Sequence, residues 1–359
     1  MNCRVAIIGL GLIGGSLGLT LTQSPGIEVV GCDSDPAVEE KALAIGAVHQ
    51  VGGYFEAAAE ADIVFLCTPI KTIERLAREV ARVCRSGCII TDVGSTKQAI
   101  MKVFRRLSEN GIWGIGGHPM AGSEQQGISG ADRYLFENAV YVLTPEGNTP
   151  QEVLDRLSSI LRLTGAHIIV MDAGVHDRLV ASVSHLPHLV AAALVSLLQG
   201  QEEAQALAAG GFRDTTRVAS GDPRLWAEIL LSNRLPLVDQ VDKLTKRLQE
   251  LKAILEEERQ ADLVDFLQSS RTLRESLPAK RKGLVPSVQD LICLVPDRPG
   301  IIGVLGSYLG EKGINIADIE VLRVREGDGG TIRIGLSRED DGPAAVESLL
   351  AHGIKAWLK

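Results

Sequence analysis

"RVAIIGLGLIGGSLGLTL", residues 4–21, decides the fold. A β-branched apolar run ends at Ile8, Gly9-x-Gly11-x-x-Gly14 follows at once, and a proline-free apolar segment continues from it. That order predicts strand, glycine turn and helix. The three glycines suit a tight turn, close backbone approach to a pyrophosphate and close helix packing, while the helix N-terminus offers unpaired N–H groups to an anion.

Asp33 closes the second apolar run, nineteen residues beyond Gly14. Its carboxylate suits an adenosine ribose 2'-hydroxyl and repels a 2'-phosphate, and Ser34, Asp35 and Pro36 add no arginine. NAD is therefore favoured over NADP, held by Gly9, Gly11, Leu12, Ile13, Gly14 and Asp33. Further runs, "DIVFLC", "GCIITDVG", "IWGIGG", "AVYVLT" and "HIIVMD", alternate with helical patterns up to about residue 170. They predict a parallel sheet covered on both faces, a doubly wound α/β (Rossmann) domain over residues 1–172. Thr68 and Pro69 in "CTPI" and Ser95 in "DVGSTK" end two of these strands, where ligands sit in such sheets. The bland reading of Ser95 or Thr96 is a helix N-cap.

Composition narrows the class. The chain has 359 residues, 45% hydrophobic and 4% aromatic, with 38 glycines, which suits aliphatic α/β packing. A formal charge of -8 leaves no basic footprint for nucleic acid. The six cysteines show no C-x-x-C spacing and read as reduced thiols. The first residues enter a strand without a signal-peptide pattern, which leads to the expectation of a cytoplasmic protein. The apolar stretch "LVAAALVSLL" from Leu189 is shorter than a membrane span and reads as a buried helix.

Residues 173–277 lose the strand signal and read as helical. Val241, Leu244, Leu248, Leu251 and Leu255 form an apolar seam, either an intramolecular core stripe or a surface for a partner helix. Residues 278–287, within "SLPAKRKGLVPS", have linker composition. From 288 to 359 the pattern is β-α-β-β-α-β, a ferredoxin-like split βαβ unit.

In "GGHPMAGSEQQG", residues 116–127, His118 follows a strand and faces the cofactor crevice if that strand is parallel to the others. A neutral imidazole there suits proton acceptance from an alcohol undergoing hydride loss. The alternative is a loop histidine bonded to backbone. His49, His167 and His352 sit in surface-like contexts, and His176 and His185 in helical ones, so they read as less suited. His185 and His188 lie three apart in "SHLPH", without further ligands for a metal, and His188 reads as a pocket wall. Arg213 and Arg217 suit carboxylate binding, with Asp214 orienting one of them, unless they form only a solvated turn.

Together, "GLGLIGGSL", "DVGSTK", "GGHPMAGSE", "HDRLVASVSHLPH", "GFRDTTRVASGDPRLW", "VPDRPGIIG" and "INIADIE" resemble the prephenate dehydrogenase family with a C-terminal ACT regulatory domain, essentially end to end. The resemblance implies oxidative decarboxylation of prephenate to 4-hydroxyphenylpyruvate with NAD+, without a metal. It implies that His118 accepts the ring 4-hydroxyl proton, that Ser95 assists there, and that Arg217 holds the substrate carboxylate. Ser123, Glu124, His188, Asp214 and Trp226 fall where the family lines or gates the pocket, and Gln125 and Gln126 depart from the pair often found there.

It further implies an interlocked helical dimerisation domain, hence a homodimer. It also implies a tyrosine effector at an ACT interface near Asp297, Gly300 and Asn315, unless the module only aids assembly. The alternatives are an arogenate or dual-specificity cyclohexadienyl dehydrogenase, or a non-catalytic NAD-binding regulator responsive to an amino acid. The presence of His118, Ser95 and Arg217 together argues against the last, since a binding protein needs no base beside a nicotinamide.

Overall fold

The computed structural model describes residues 3–122, 127–277, 289–296, 298–325 and 329–358. Ser123, Glu124, Gln125, Gln126, the expected linker 278–287 and Asp297 lie outside the described residues. The chain divides into two compact units, Met1–Glu275 and Ser276–Lys359.

In the first unit the apolar runs form β1 (Cys3–Ile8), β2 (Ile27–Cys32), β3 (Gln50–Val51), β4 (Ile63–Leu66), β5 (Ile89–Asp92), β6 (Trp113–Pro119), β7 (Val140–Pro145) and β8 (His167–Val170). Between them run α1 (Leu12–Leu21), α2 (Pro36–Ala44), α3 (Tyr54–Glu60), α4 (Ile70–Val80), α5 (Gln98–Phe104) and α6 (Gln151–Arg162). The strands make one sheet in the order β3-β2-β1-β4-β5-β6-β7-β8.

Side chains alternate across it, because successive residues of a strand point to opposite faces. Val5 and Ile7 pack with Leu17 and Leu21 of α1 and with Leu157 and Leu161 of α6. Ala6 and Ile8 pack on the other face with Ile73 and Leu76 of α4 and with Ile100 and Phe104 of α5. The doubly wound arrangement follows from both faces being apolar.

The sheet is not parallel throughout. β6 pairs parallel with β5 but antiparallel with β7, and β7 pairs parallel with β8, so the last two strands run against the first six. The link from β6 to β7 carries only a short 3-10 turn, Ile128–Gly130, among its described residues. Without a helix to cross the sheet, the chain re-enters from the edge it left, which makes the next strand antiparallel.

The helical part comprises α7 (Ala173–Val180), a π-helical turn (Ala181–His185), α8 (Leu186–Ser196), α9 (Glu202–Ala206), α10 (Gly210–Thr216), α11 (Pro223–Ser232), α12 (Arg234–Glu256) and α13 (Gln260–Ser276). The expectation of a buried helix at Leu189 is corrected: only His188 and Ala191 of α8 are buried, and Leu189 and Val195 are exposed. Ala173–Ser196 is long and apolar enough to cross a membrane by length and composition, but the same segment carries the buried polar residues His176, Asp177 and His185. On α12, Leu248 and Leu255 are exposed and Val241, Leu244 and Leu251 half-buried, so the seam is not closed among the described residues of the first unit.

The second unit has β9 (Gln289–Val295), α14 (Ile301–Gly310), β10 (Ile316–Arg325), β11 (Gly329–Leu336), α15 (Asp341–Ala351) and β12 (Lys355–Leu358). Its antiparallel sheet has the order β10-β11-β9-β12, the ferredoxin-like arrangement. Leu291, Cys293, Ile332, Ile334, Leu305 and Leu349 form its core under the two helices. Gly300 precedes α14 at φ +88°, and Asn315 is exposed, its Nδ2 3.4 Å from Ser337 Oγ.

Candidate active site

The first part of the site is the turn between β1 and α1, at the point where the strand order reverses. A Cβ on Gly14 would lie 1.9 Å from Gly9 O, and one on Gly9, at φ +97°, would lie 2.7 Å from Cys67 O. Only glycine lets β1, α1 and the loop after β4 approach this closely. Gly11 caps α1 without a side-chain bond and has no atom within 4 Å of its Cβ position, which leaves an open cradle before Leu12 and Ile13.

Asp33 stands at the end of β2, where its Oδ2 accepts from Leu10 N at 2.8 Å and its Oδ1 from Asp35 N at 3.1 Å. The carboxylate is fixed at the rim with lone pairs to spare for a ribose hydroxyl. These residues fit a dinucleotide. Thr68, half-buried beside the turn, has a buried Oγ1 without a hydrogen-bond partner, and Pro69 precedes α4.

His118 is the penultimate residue of β6 and is buried. Because β6 is parallel to β5, His118 stands at the C-terminal edge with the glycine turn and the loop after β5. Its Nδ1 lies 2.8 Å from His176 Nε2, and His176 Nδ1 lies 2.8 Å from Asp177 Oδ1. Asp177 also accepts from the backbone N–H groups of Lys97 at 2.8 Å and Gln98 at 2.9 Å. It thereby caps α5 from α7, and neither Ser95 nor Thr96 is the cap residue.

Lys97 is fully buried, its ammonium paired with Asp92 and donating to Gly117 O. Asp92 in turn accepts from Gly117 N at 3.1 Å and Gly94 N at 2.8 Å. β5 and β6 are thus cross-linked next to the histidine. Burial, reinforced by the Lys97 charge, holds the His118 imidazole well below its usual 6.5. It is neutral at pH 7.

The helical part forms a second wall. Pro187 has no N–H, and its ring would crowd the Val183 carbonyl in a regular helix, a clash that the π-helical turn before α8 accommodates. Asn233 Nδ2 donates to Asp177 O at 2.7 Å and lies 3.0 Å from His185 Nδ1. Burial pushes the His185 imidazole down to about 4, against the opposing charge of Asp177. His188 stacks on Trp226 with centroids 3.6 Å apart, while its buried Nδ1 has no partner.

α11, which carries Trp226, is tied to the sheet domain by Lys71–Glu228 at 3.1 Å and by Thr96 Oγ1 to Ser232 Oγ at 3.0 Å. His185 and His188 are thus engaged with Asn233 and Trp226, and among the described residues no group of three or more His, Cys, Asp or Glu could hold a metal ion.

The fold gathers His118, His176, Asp177 and Lys97 into one network and His185, His188, Trp226 and Asn233 into an adjoining one. Ser95 is half-buried in the loop between β5 and α5 and is not hydrogen-bonded to His118. Arg217 is exposed where α10 passes into a 3-10 turn. Asp214 is exposed on α10, and Arg213 donates from Nε to Ala208 O at 3.2 Å rather than pairing with it. Sequence reasoning set His176 aside and did not use Lys97, Asp92 or Asp177. The adjacent pair "HD" at 176–177 and the two ends of "DVGSTK" were the available signals.

Known proteins bear on this geometry. Residues 17–170 match the family model described as "Prephenate dehydrogenase, nucleotide-binding domain", residues 172–269 the one described as "Prephenate dehydrogenase, dimerization domain", and residues 290–351 the ACT domain. Prephenate dehydrogenase of Bacillus subtilis (strain 168) is 34% identical, over 98% of this chain and 97% of its own.

Prephenate dehydrogenase from A. aeolicus, solved with hydroxyphenyl propionate and NAD+, is 28% identical with a TM-score of 0.72, covering 77% of this chain and 99% of its own. Synechocystis arogenate dehydrogenase is 34% identical with a TM-score of 0.69, covering 77% of this chain and 100% of its own. With an NAD-binding sheet domain, a dimerisation-type helical region and an ACT module in that order, the chain belongs to the prephenate dehydrogenase family.

Proposed function

We propose that the protein converts prephenate to 4-hydroxyphenylpyruvate and CO2 with NAD+, a step in tyrosine biosynthesis. The observation that carries this reading is a buried neutral imidazole, His118, at the strand edge that also holds the dinucleotide turn. NAD+, bound across Gly9, Gly11, Leu12, Ile13, Gly14 and Asp33 with Thr68 and Pro69 alongside, supplies the hydride acceptor.

His118 accepts the proton of the ring 4-hydroxyl, and Ser95 bonds the same hydroxyl. Arg217 holds a substrate carboxylate. His188, Trp226 and Asp214, with Ser123 and Glu124, line or gate the pocket. As the ring carboxylate leaves as CO2, the bonding pair it gives up completes the aromatic ring. That gain drives the reaction, so the chain's task is to orient substrate and hold charge.

The same reading divides the chain into a dinucleotide domain (1–172), a helical substrate and dimerisation domain (173–277), a linker (278–287) and a regulatory domain (288–359). It assigns a homodimer through the exposed leucines of the helical region, a cytoplasmic location, and tyrosine as an effector of the ACT module near Asp297, Gly300 and Asn315. Arogenate is the second substrate reading, favoured by the 34% identity to the Synechocystis enzyme. Initial rates of NADH formation with each substrate at equal concentration test the choice. The proposal expects the larger kcat/KM with prephenate, and the reverse order overturns it in favour of arogenate.

A further inference from the structure

We infer that His176 and Asp177 are positioning residues that fix the tautomer of His118, leaving Nε2 as the nitrogen that takes the substrate proton. The inference rests on the reading of His118 as proton acceptor, and adds which atom acts and what holds it ready.

With both rings neutral, the chain of bonds has one consistent direction. The Asp177 side chain already accepts two backbone N–H groups at the start of α5, one on each oxygen. A carboxylate offers only acceptors, so the 2.8 Å contact to His176 Nδ1 requires the hydrogen on that nitrogen. A neutral imidazole carries one N–H, and His176 Nε2 is then a bare lone pair. His118 Nδ1, 2.8 Å away, must donate to it. His118 is itself neutral, so its Nε2 has no hydrogen and is the basic atom.

Both links are buried, with His176 and Asp177 1% and 2% exposed, so water does not compete for either bond. After proton transfer the His118 imidazolium still donates through Nδ1, and its charge is met along the same bonds by the Asp177 carboxylate. The orienting logic is that of a carboxylate behind a catalytic imidazole, extended by one ring.

Two measurements test this on the full chain. In the first, 15N spectra of imidazole-labelled protein at neutral pH, with His118→Asn used for assignment, report which nitrogen of each ring is protonated. The inference expects His118 protonated at Nδ1 and bare at Nε2. A proton on Nε2, or on both nitrogens of His176, overturns it.

The second is kinetic. His176→Leu removes the acceptor and is expected to lower kcat by roughly 100-fold, with the KM for prephenate and the Kd for NAD+ within about twofold of wild type. His176→Gln, whose carbonyl oxygen can accept the Nδ1 hydrogen, is expected to recover at least about tenfold of that loss. Equal kcat in the Leu and Gln variants overturns the inference. Turnover of His118→Asn separately tests the reading beneath it: near-normal activity removes His118 from the chemistry, whatever its tautomer.

Discussion

The carboxylate of Asp177 lies 2.8 Å from the backbone nitrogen of Lys97, eighty positions earlier in the chain, and closes the N-terminus of α5. One side chain of the helical region thus completes a helix of the sheet domain, and the same carboxylate ends the bond chain from His118. The two parts of the first unit meet at the candidate chemistry rather than beside it.

Lys97 and Asp92 form a buried ion pair under that junction. Lys97→Met leaves the Asp92 carboxylate without its counter-charge, a change that typically costs about 3–5 kcal/mol. Urea unfolding is expected to show a loss of that order. A loss within 0.5 kcal/mol, as for an ordinary surface substitution, would show that the pair does not hold β5 to β6.

This junction marks where sequence reading stops. The glycine turn, the seven longer strands of the first unit and the β-α-β-β-α-β module were legible because each is set by local pattern, residue against neighbour. The reversal of β7 and β8 was not, because strand direction depends on where the connecting chain travels. His176 looked like an ordinary helical residue, since its role depends on His118, 58 positions away. Asp177 as the cap of α5 was equally hidden, while Ser95 and Thr96 had the right residue types and only the wrong geometry.

Acid should act on activity and stability in the same direction. His118 is held well below 6.5 by burial and the Lys97 charge, so its base form persists through neutrality. The acid limb of kcat/KM is expected below pH 6.5, and a limb at or above 6.5 would contradict the assignment.

For stability, the folded value of His185, about 4, lies below the unfolded 6.5. Between these values the unfolded chain binds more protons, so stability falls as pH drops from about 6.5 to about 4. The change from His185 alone is roughly 3 kcal/mol. Denaturation midpoints that do not change across that window would contradict it.

The regulatory module is expected to be separable from turnover. Solved relatives are matched over 99–100% of the solved chain by 77% of this chain. Removing residues 288–359 is expected to preserve NADH formation and abolish inhibition by tyrosine. Inhibition that survives the deletion would place the effector in the active site.

The most direct measurement supplies the purified chain with NAD+ and prephenate and follows NADH and CO2 together, for wild type and for His118→Asn. The expected result is one NADH and one CO2 per prephenate consumed by wild type, with kcat lower by about 100-fold or more in the variant and NAD+ affinity unchanged. Absence of NADH from the wild-type chain with prephenate, or a variant as fast as wild type, would contradict the account.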